Sequence, residues 1–193
     1  MENVPGDIIL ETFSLMPPER QQQALRFRSD IDRNLCVLVF WLLLYGLKNE
    51  YGITEPHTFT YGENGKPYLI EHPDIFFNLS HCKLGAICAI SNSEVGVDVQ
   101  DVRPFSLGVA KRVCTERELE RLAQSESSDR LFCELWTIKE SFIKRHDGIS
   151  TQSFSSLDAH ALYNEADCKV VSHRGKKYHL CCFGENEIIT IGR

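Results

Sequence analysis

Apolar positions follow helical spacing in the first part of the chain. Residues 19–50 begin polar and become apolar on all sides from Cys36 to Leu47, which is typical of a helix buried between layers. This apolar run is shorter than the ~18 residues that a membrane span needs. Gly52 lies where a glycine commonly ends a helix. We therefore predict a long buried helix that ends near residue 50 and does not cross a membrane.

Two further helices are predicted in the second half of the chain. Residues 106–124 have a helical pattern, and Thr115 and Glu118 have the spacing of a capping box that starts a new helix at Glu116. Residues 129–145 form another helix, because apolar residues recur along one stripe of it. The stripe consists of Leu131, Leu135, Ile138 and Phe142.

Shorter apolar segments predict strands. Residues 75–77 open a strand that leads into 78–81, and the runs at 169–171, 179–183 and 188–191 complete a sheet. The runs 86–90 and 95–99 are joined by turn residues at 91–94, which predicts a β-hairpin. Side chains alternate along a strand, so Asp98 and Gln100 share the face opposite the valines. Mixed helices and strands indicate an α+β protein.

Composition narrows the function classes. A net charge of −6 and a pI of about 5.6 give no electrostatic support to general nucleic-acid binding. The N-terminal residues lack the basic start and apolar stretch of a secretion signal. The eight cysteines include no CxxC pair, and we interpret them as reduced thiols. We therefore expect a cytoplasmic protein with no membrane or nucleic-acid partner.

Several residues could carry chemistry together. Asp98 on a strand and Glu140 on a helix suit magnesium, which takes oxygen ligands and usually binds through one or two carboxylates plus substrate phosphates. Lys144, one turn after Glu140, could hold a phosphate on the same ion. Further positive contacts could come from Arg33, Lys66 and His81. These residues predict a metal-assisted site for a polyphosphate ligand, without identifying it.

Each of these residues also has an ordinary structural interpretation. Asp98 could be a solvated aspartate, and Glu140 with Lys144 could be a surface ion pair. Cys82 beside His81 could suggest a nucleophile and its base. Adjacent strand residues point to opposite faces, however, which makes proton sharing between these two unfavourable.

Four segments, in order, resemble the signatures of phosphopantetheinyl transferases. Residues 136–144 match W-x-x-K-E-x-x-x-K, and residues 96–99 match G-[IV]-D-[IV]. Residues 78–81 resemble the upstream N-[IL]-S-H element, and residues 65–67 the G-K-P element before it. Arg33 falls where such proteins carry a cofactor-contacting arginine. The sequence is most similar to the larger type that activates surfactin synthetase.

The resemblance implies a fold and an activity. The fold is the 4′-phosphopantetheinyl transferase fold, α+β with two similar halves related by pseudo-twofold symmetry, here residues 1–92 and 93–193. Coenzyme A would bind between the halves, and a chain that supplies both sides of the cleft would act as a monomer. The activity is transfer of 4′-phosphopantetheine from coenzyme A to a serine of an acyl or peptidyl carrier protein, with Mg²⁺ as cofactor and release of 3′,5′-ADP.

The resemblance also implies roles for the phosphate-binding residues. Asp98 and Glu140 would hold magnesium against the pyrophosphate, and Lys144 would contact the same phosphates. His81 and Arg33 would bind the 3′-phosphorylated ribose. The remaining cofactor-binding residues would be Lys66 and Pro67 on the adenine side, together with Asn78 and Ser80.

Glu116 and Gln100 complete the set of residues that the resemblance implies. Glu116 aligns with a glutamate proposed to deprotonate the acceptor serine, although it could equally be a first-turn residue stabilised by the helix dipole. Gln100 stands where the surfactin type usually has a third acidic residue. We expect activity to survive, with two protein carboxylates on the metal and Gln100 or water as the third contact.

Two alternatives stay open. In the first, Gln100 marks a degenerate metal site, and the protein binds coenzyme A or a carrier protein without catalysis. In the second, Cys82 and His81 form an acyl-transfer site. Dependence of turnover on magnesium supports the transferase, and inactivation by thiol alkylation without any effect of chelator supports the cysteine site.

Overall fold

The computed structural model describes residues 6–55, 57–83, 85–147, 154–173, 176–184 and 188–192. The helices are α1 (Gly6–Leu15), α2 (Pro18–Leu25), α3 (Asp30–Tyr51), α4 (Leu107–Val113), α5 (Glu116–Gln124), α6 (Ser128–Arg145) and α7 (Ala159–Leu162). The strands are β1 (Phe59–Tyr61), β2 (Pro67–Leu69), β3 (Phe76–Cys82), β4 (Gly85–Ser91), β5 (Gly96–Asp101), β6 (Asp167–His173), β7 (Lys176–Phe183) and β8 (Ile188–Gly192). The predicted α+β class is confirmed.

The long helix α3 covers one face of a three-stranded antiparallel sheet with the order β3-β4-β8. Its apolar stretch packs on Phe77 and Ile90 of that sheet, and the predicted burial is confirmed. Gly52 ends the helix with φ of 70°, the left-handed geometry that glycine adopts without strain. The predicted helix 19–50 is instead two helices, because Ser29 caps a new start by accepting a hydrogen bond from the backbone of Asp32.

Helix α6 covers a second antiparallel sheet with the order β5-β7-β6. Leu135 and Ile138 of α6 share a core with Phe183 of β7. The helix crosses β5 at Gly96, where a Cβ atom would lie 2.1 Å from the Ser141 carbonyl oxygen. Glycine therefore sets how closely α6 can approach the strand that carries Asp98. The predicted capping box that starts α5 is also present.

The two sheets pack on each other, so that the molecule has helix, sheet, sheet and helix layers. The core between them contains Ile87 and Ala89 from β4, and Val97 and Val99 from β5. The edge strands β3 and β5 are joined by side chains. Asn78 Oδ1 accepts a hydrogen bond of 2.9 Å from the Val97 N–H, and Ser80 Oγ one of 3.3 Å from the Val99 N–H.

The predicted hairpin of residues 86–99 is wrong. Strand β4 pairs with β3 and β8, whereas β5 pairs with β7. Residues 91–94 therefore carry the chain from one sheet to the other. Turn-forming residues suit such a crossing as well as a hairpin, and the true partners are distant in sequence. The predicted faces of β5 are nevertheless right, with Val97 fully buried and Gln100 on the opposite side.

The expectation that all cysteines are reduced is also wrong. Cys168 and Cys181 form a disulfide, and their Cα atoms are 4.2 Å apart. The β6–β7 register places these two residues directly opposite each other, which the sequence alone does not reveal. The other six cysteines are buried. In the described part of the chain, no helix has the length and apolar character required to cross a membrane.

Candidate active site

Asp98 and Lys144 form the centre of the site. The Lys144 ammonium donates to Asp98 Oδ1 at 2.7 Å, joining α6 to β5. Asp98 is only 1% exposed. Its Oδ1 also accepts a hydrogen bond of 2.8 Å from the Ser80 hydroxyl. A buried carboxylate that is paired in this way is held in one orientation.

Glu140 and Gln100 flank this carboxylate. The Gln100 amide donates to Asp98 Oδ2 at a long 3.4 Å. Glu140 has no hydrogen-bond partner among the residues that the structure describes. Burial raises its pKa, while nearby Lys144 acts to lower it and Asp98 to raise it further. Two neighbouring carboxylates form an electronegative site that a cation would stabilise.

This donor set fits magnesium. Mg²⁺ prefers oxygen ligands and keeps waters or substrate oxygens in part of its shell. Asp98 Oδ2 and the Glu140 carboxylate provide such oxygens, and the Gln100 side chain lies beside them. In the described ranges, no group of three or more His, Cys, Asp or Glu side chains is placed to hold a metal.

A cleft of about 230 Å³ lies next to Lys144. One wall is the loop between β1 and β2, and the other is the end of α6. The lining residues are Asn64, Gly65, Lys66, Pro67, Asn78, Ile143, Lys144 and Asp147. Three segments of the family resemblance, 65–67, 78–81 and 136–144, thus contribute to one cavity.

The side chain of Lys66 is buried, and its ammonium contacts other protein groups. Its ammonium pairs with Glu94 and also donates to the carbonyls of Val95 at 3.0 Å and Arg145 at 2.8 Å. Burial lowers the Lys66 pKa, with Glu94 opposing that shift. Because these protein groups occupy the ammonium, a contact to adenine would come from the stem of Lys66 and from Pro67. That role stays a prediction.

Ser80 and Asn78 hold the two sheets together. Besides their hydrogen bonds to β5, Ser80 accepts a hydrogen bond of 3.3 Å from Lys144. Both residues are buried, at 6% and 7% exposure. Their hydroxyl and amide position the strand that carries Asp98. Direct contact with coenzyme A stays a prediction.

His81 and Arg33 lie near the end of α2. The His81 ring packs edge-on against Phe27, with 6.0 Å between centroids. Its pKa is lowered, first by burial and then by nearby Arg20 and Lys144. Arg33 pairs with Asp30 at 2.9 Å and donates to the Phe27 carbonyl at 3.2 Å. A hydrogen bond between His81 and Arg33 is not among the described contacts.

Arg20 is a functional candidate that the sequence analysis missed. Its guanidinium lies over the Phe40 ring, 5.7 Å from the centroid, and its Nε is buried without a hydrogen-bond partner in the described part of the chain. Burial lowers its pKa. A buried cation with an unsatisfied donor, close enough to influence His81, is suited to an anion. The polar sequence of α2 does not indicate that Arg20 is buried.

Glu116 and Glu118 have different environments. Glu116 is exposed at the first position of α5, and its role as a base stays a prediction. Glu118 is 1% exposed and accepts hydrogen bonds from Lys139 at 2.6 Å and from the Ala159 N–H at 2.9 Å. Lys139 also donates to the carbonyls of Val113 and Phe154. Lys139, the lysine of the W-x-x-K-E segment, therefore connects α6 to α4, to α5 and to the segment at Phe154.

The cysteine alternative lacks geometric support. Cys82 is buried in the core between the sheets, whereas the consecutive residue His81 packs on Phe27. The two side chains thus point to opposite faces of β3, as the alternation of a strand requires.

Comparisons with known proteins identify the class. The family model described as the 4′-phosphopantetheinyl transferase superfamily matches residues 94–190. The chain belongs to this superfamily, and the resemblance seen in the sequence is confirmed. The match covers the strand with Asp98 and the helix with Glu140 and Lys144.

Individual relatives extend the similarity. The 4′-phosphopantetheinyl transferase Sfp of Bacillus subtilis strain 168 is 31% identical over 135 residues, which cover 68% of this chain and 60% of that protein. The transferase ffp of Bacillus subtilis is 29% identical over 174 residues, or 88% of this chain and 75% of that protein. The crystal structure of Thermotoga maritima holo-[acyl-carrier-protein] synthase has a TM-score of 0.35 at 21% identity, covering 46% of this chain and 61% of that one. The match to Sfp thus spans about three fifths of its length.

Proposed function

We propose that this chain transfers the 4′-phosphopantetheine group of coenzyme A to a serine hydroxyl of an acyl or peptidyl carrier protein. The observation that supports this most is the pairing of Lys144 with Asp98 near the carboxylate of Glu140, for which the described residues provide no hydrogen-bond partner. These three residues belong to two of the four segments that resemble the family signatures, residues 96–99 and 136–144. Their arrangement combines oxygen ligands for a cation with a positive charge for a phosphate.

Magnesium would be held by Asp98 and Glu140, with Gln100 or water as a further contact. When bound, it would neutralise negative charge that builds up on the pyrophosphate during transfer. Lys144 would supply a preorganised positive charge at the same place. Because Asp98 already fixes the Lys144 ammonium, little reorganisation would be needed when the substrate enters.

The reaction itself needs little covalent chemistry from the protein. The serine oxygen attacks the β-phosphorus of coenzyme A, a new phosphoester bond forms, and the bond from that phosphorus to the bridging oxygen breaks. The leaving group is 3′,5′-ADP, and the hydroxyl proton passes to a base, for which Glu116 is the proposed group. Positioning and charge stabilisation dominate phosphoryl transfer.

The distal phosphate of coenzyme A would be bound by cations near α2. His81 and Arg33 are the proposed contacts, and the buried guanidinium of Arg20 adds a third. Binding of a phosphate would favour protonated His81, whose pKa burial lowers in the free protein. Lys66 and Pro67 would line the adenine side of the cleft.

The proposal includes an architecture. Residues 1–92 and 93–193 would form two halves related by pseudo-twofold symmetry, with coenzyme A in the cleft between them. Supporting this, each three-stranded sheet is covered by one long helix, α3 or α6. Strand β8 crosses from the second half to pair with β4. We further propose a monomer that acts in the cytoplasm.

The second candidate function is binding of coenzyme A or a carrier protein without catalysis, and the relatives described as transferases do not favour it. It would follow if the neutral amide of Gln100, which donates to Asp98 Oδ2 at 3.4 Å, left the metal site incomplete.

Intact-mass measurement tests the main proposal. Several apo-carrier proteins are incubated with this protein, coenzyme A and magnesium, with chelator in a parallel sample. Modification of a carrier serine by phosphopantetheine, prevented by chelator, is the expected result. Coenzyme A binding without any mass change on any carrier would favour the second candidate.

A further inference from the structure

Asp147 occupies an unusual position just after α6. Its φ is 54°, and it is the one non-glycine residue with positive φ among those that the structure describes. This left-handed region is unfavourable for most side chains, although aspartate tolerates it better than most. A strained residue that persists beside a cleft points to a local purpose.

The carboxylate of Asp147 binds a loop that is distant in sequence. Oδ1 accepts a hydrogen bond of 2.9 Å from the Lys66 N–H, which lies 81 residues away, and Oδ2 accepts one of 3.3 Å from the Asn64 N–H. The loop is shaped around this group, since a Cβ on Gly62 would lie 2.1 Å from Asp147 Oδ2. The Gly62 N–H in turn donates to the Lys66 carbonyl at 2.9 Å.

The loop is tied to α6 a second time by Lys66. Its ammonium donates to the carbonyl of Arg145, at the end of the helix. The end of a helix carries unpaired carbonyls and a partial negative charge, which favour a cation there. Asp147, after the helix, thus accepts hydrogen bonds from the loop, and Lys66, in the loop, donates one to the end of the helix.

These contacts determine the width of the cleft. Gly65, Lys66 and Pro67 form one wall, and Lys144 and Asp147 lie in the other. Lys144 is fixed independently by Asp98. The clamp therefore sets the distance between the loop and the ammonium proposed to hold the phosphates.

We infer that Asp147 is a positioning residue that holds the loop of residues 62–67 for the nucleotide end of coenzyme A. The inference rests on the proposed function. Without the carboxylate, the loop would lose its two backbone hydrogen bonds to Asp147, and ordering it again would oppose coenzyme A binding. The residues around Asp98 would keep their contacts, so the chemical step should be preserved.

Asp147→Gly is the decisive variant, because glycine adopts φ of 54° without strain and folding should not suffer. We expect the KM for coenzyme A to rise about tenfold, with kcat and the KM for the carrier within about threefold, since uniform binding is lost. Amides in residues 57–69 should exchange hydrogen faster. Asp74→Gly, which removes an exposed carboxylate before β3, is the matched control and should change neither quantity.

A double-mutant cycle with Gly62 tests the contact directly. Gly62→Ala should raise the KM for coenzyme A in the wild-type background, where its Cβ meets the carboxylate. In the Asp147→Gly background it should have little further effect, because the obstructing group is gone. Additive effects would contradict the contact.

The outcomes separate the two proposals. Normal KM and normal exchange in Asp147→Gly, with active wild type, would overturn the role of Asp147 and leave the transferase function standing. Wild-type protein that modifies no carrier would overturn the transferase function. Direct measurement of coenzyme A binding then decides the role of the loop, because equal affinities of wild type and Asp147→Gly would overturn it.

Discussion

The ammonium of Lys144 lies 2.7 Å from Asp98 and does not bond to Glu140, four residues earlier on the same helix. Helical spacing alone favours a Glu140–Lys144 pair. Tertiary packing overrides it, because α6 crosses β5 closely at Gly96 and brings Lys144 over the strand. As a result the Glu140 carboxylate, which has no hydrogen bond within the described part of the chain, lies near the paired Asp98 carboxylate, and this is the basis of the proposed metal site.

Glu140→Gln should abolish carrier modification without lowering stability. Burial raises the pKa of Glu140, so its charge opposes folding at neutral pH and removing it should change the free energy of unfolding by no more than about 1 kcal/mol. Turnover by mass spectrometry and denaturant unfolding are the measurements. Near-normal turnover would show that Glu140 is an ordinary partly buried glutamate.

Lys139→Met, in contrast to Glu140→Gln, should reduce the free energy of unfolding. It would leave Glu118 buried without its cation, which typically costs about 3–5 kcal/mol. Urea unfolding measures the loss, and Lys111→Met, at an exposed position of α4, is the control. A loss no greater than that of the control would mean that the buried pair contributes nothing.

The free energy of unfolding should decrease as the pH is lowered, partly because of His179. This residue is 2% exposed, and burial lowers its pKa to about 4. The unfolded chain takes up a proton near pH 6.5 and the folded chain does not, so this contribution is present above pH 6.5 and is lost as pH falls toward 4.

The test is unfolding between pH 7 and 4. His179→Leu should show a shallower decline than wild type, by up to about 1.4 kcal/mol per pH unit. His160→Leu, at an exposed position, should decline like wild type. Parallel curves for wild type and His179→Leu would refute the assignment.

Local signals in the sequence predicted much of the fold. The apolar run in α3, the glycine at its end and the capping box of α5 depend on neighbouring residues, and all three are confirmed. The strand partners were not predicted correctly. Residues 91–94 have turn composition, which local patterns read as a hairpin. The true pairs, β4 with β8 and β5 with β7, join segments that are distant in sequence, about one hundred residues apart for β4 and β8.

The site was predicted through its signature and not through its geometry. The sequence placed Asp98 on a strand face and Glu140 on a helix, but it could not show that Asp98 is buried or that Lys144 pairs with it. Arg20 and Asp147 lie outside the family segments. Their roles depend on burial and on long-range hydrogen bonds, for which a single sequence carries no pattern.

Gln100 distinguishes an active two-carboxylate site from a degenerate one. Its amide contacts Asp98 Oδ2 at 3.4 Å and adds no negative charge. A glutamate there would add a third carboxylate to Asp98 and Glu140, and the negative charges would repel each other until a cation binds. Gln100→Glu should therefore melt at a lower temperature than wild type in chelator and gain more from added magnesium.

Turnover by wild type, Gln100→Glu and Asp98→Asn separates the two functions. Wild type should modify carrier proteins, with a higher magnesium requirement than Gln100→Glu. Asp98→Asn should be inactive, because it removes one of two native carboxylates and the partner of Lys144. The measurement is the rate of carrier modification against magnesium concentration. Turnover that occurs only in Gln100→Glu would establish the natural protein as a degenerate binder, since its remaining groups would then be unable to complete the site.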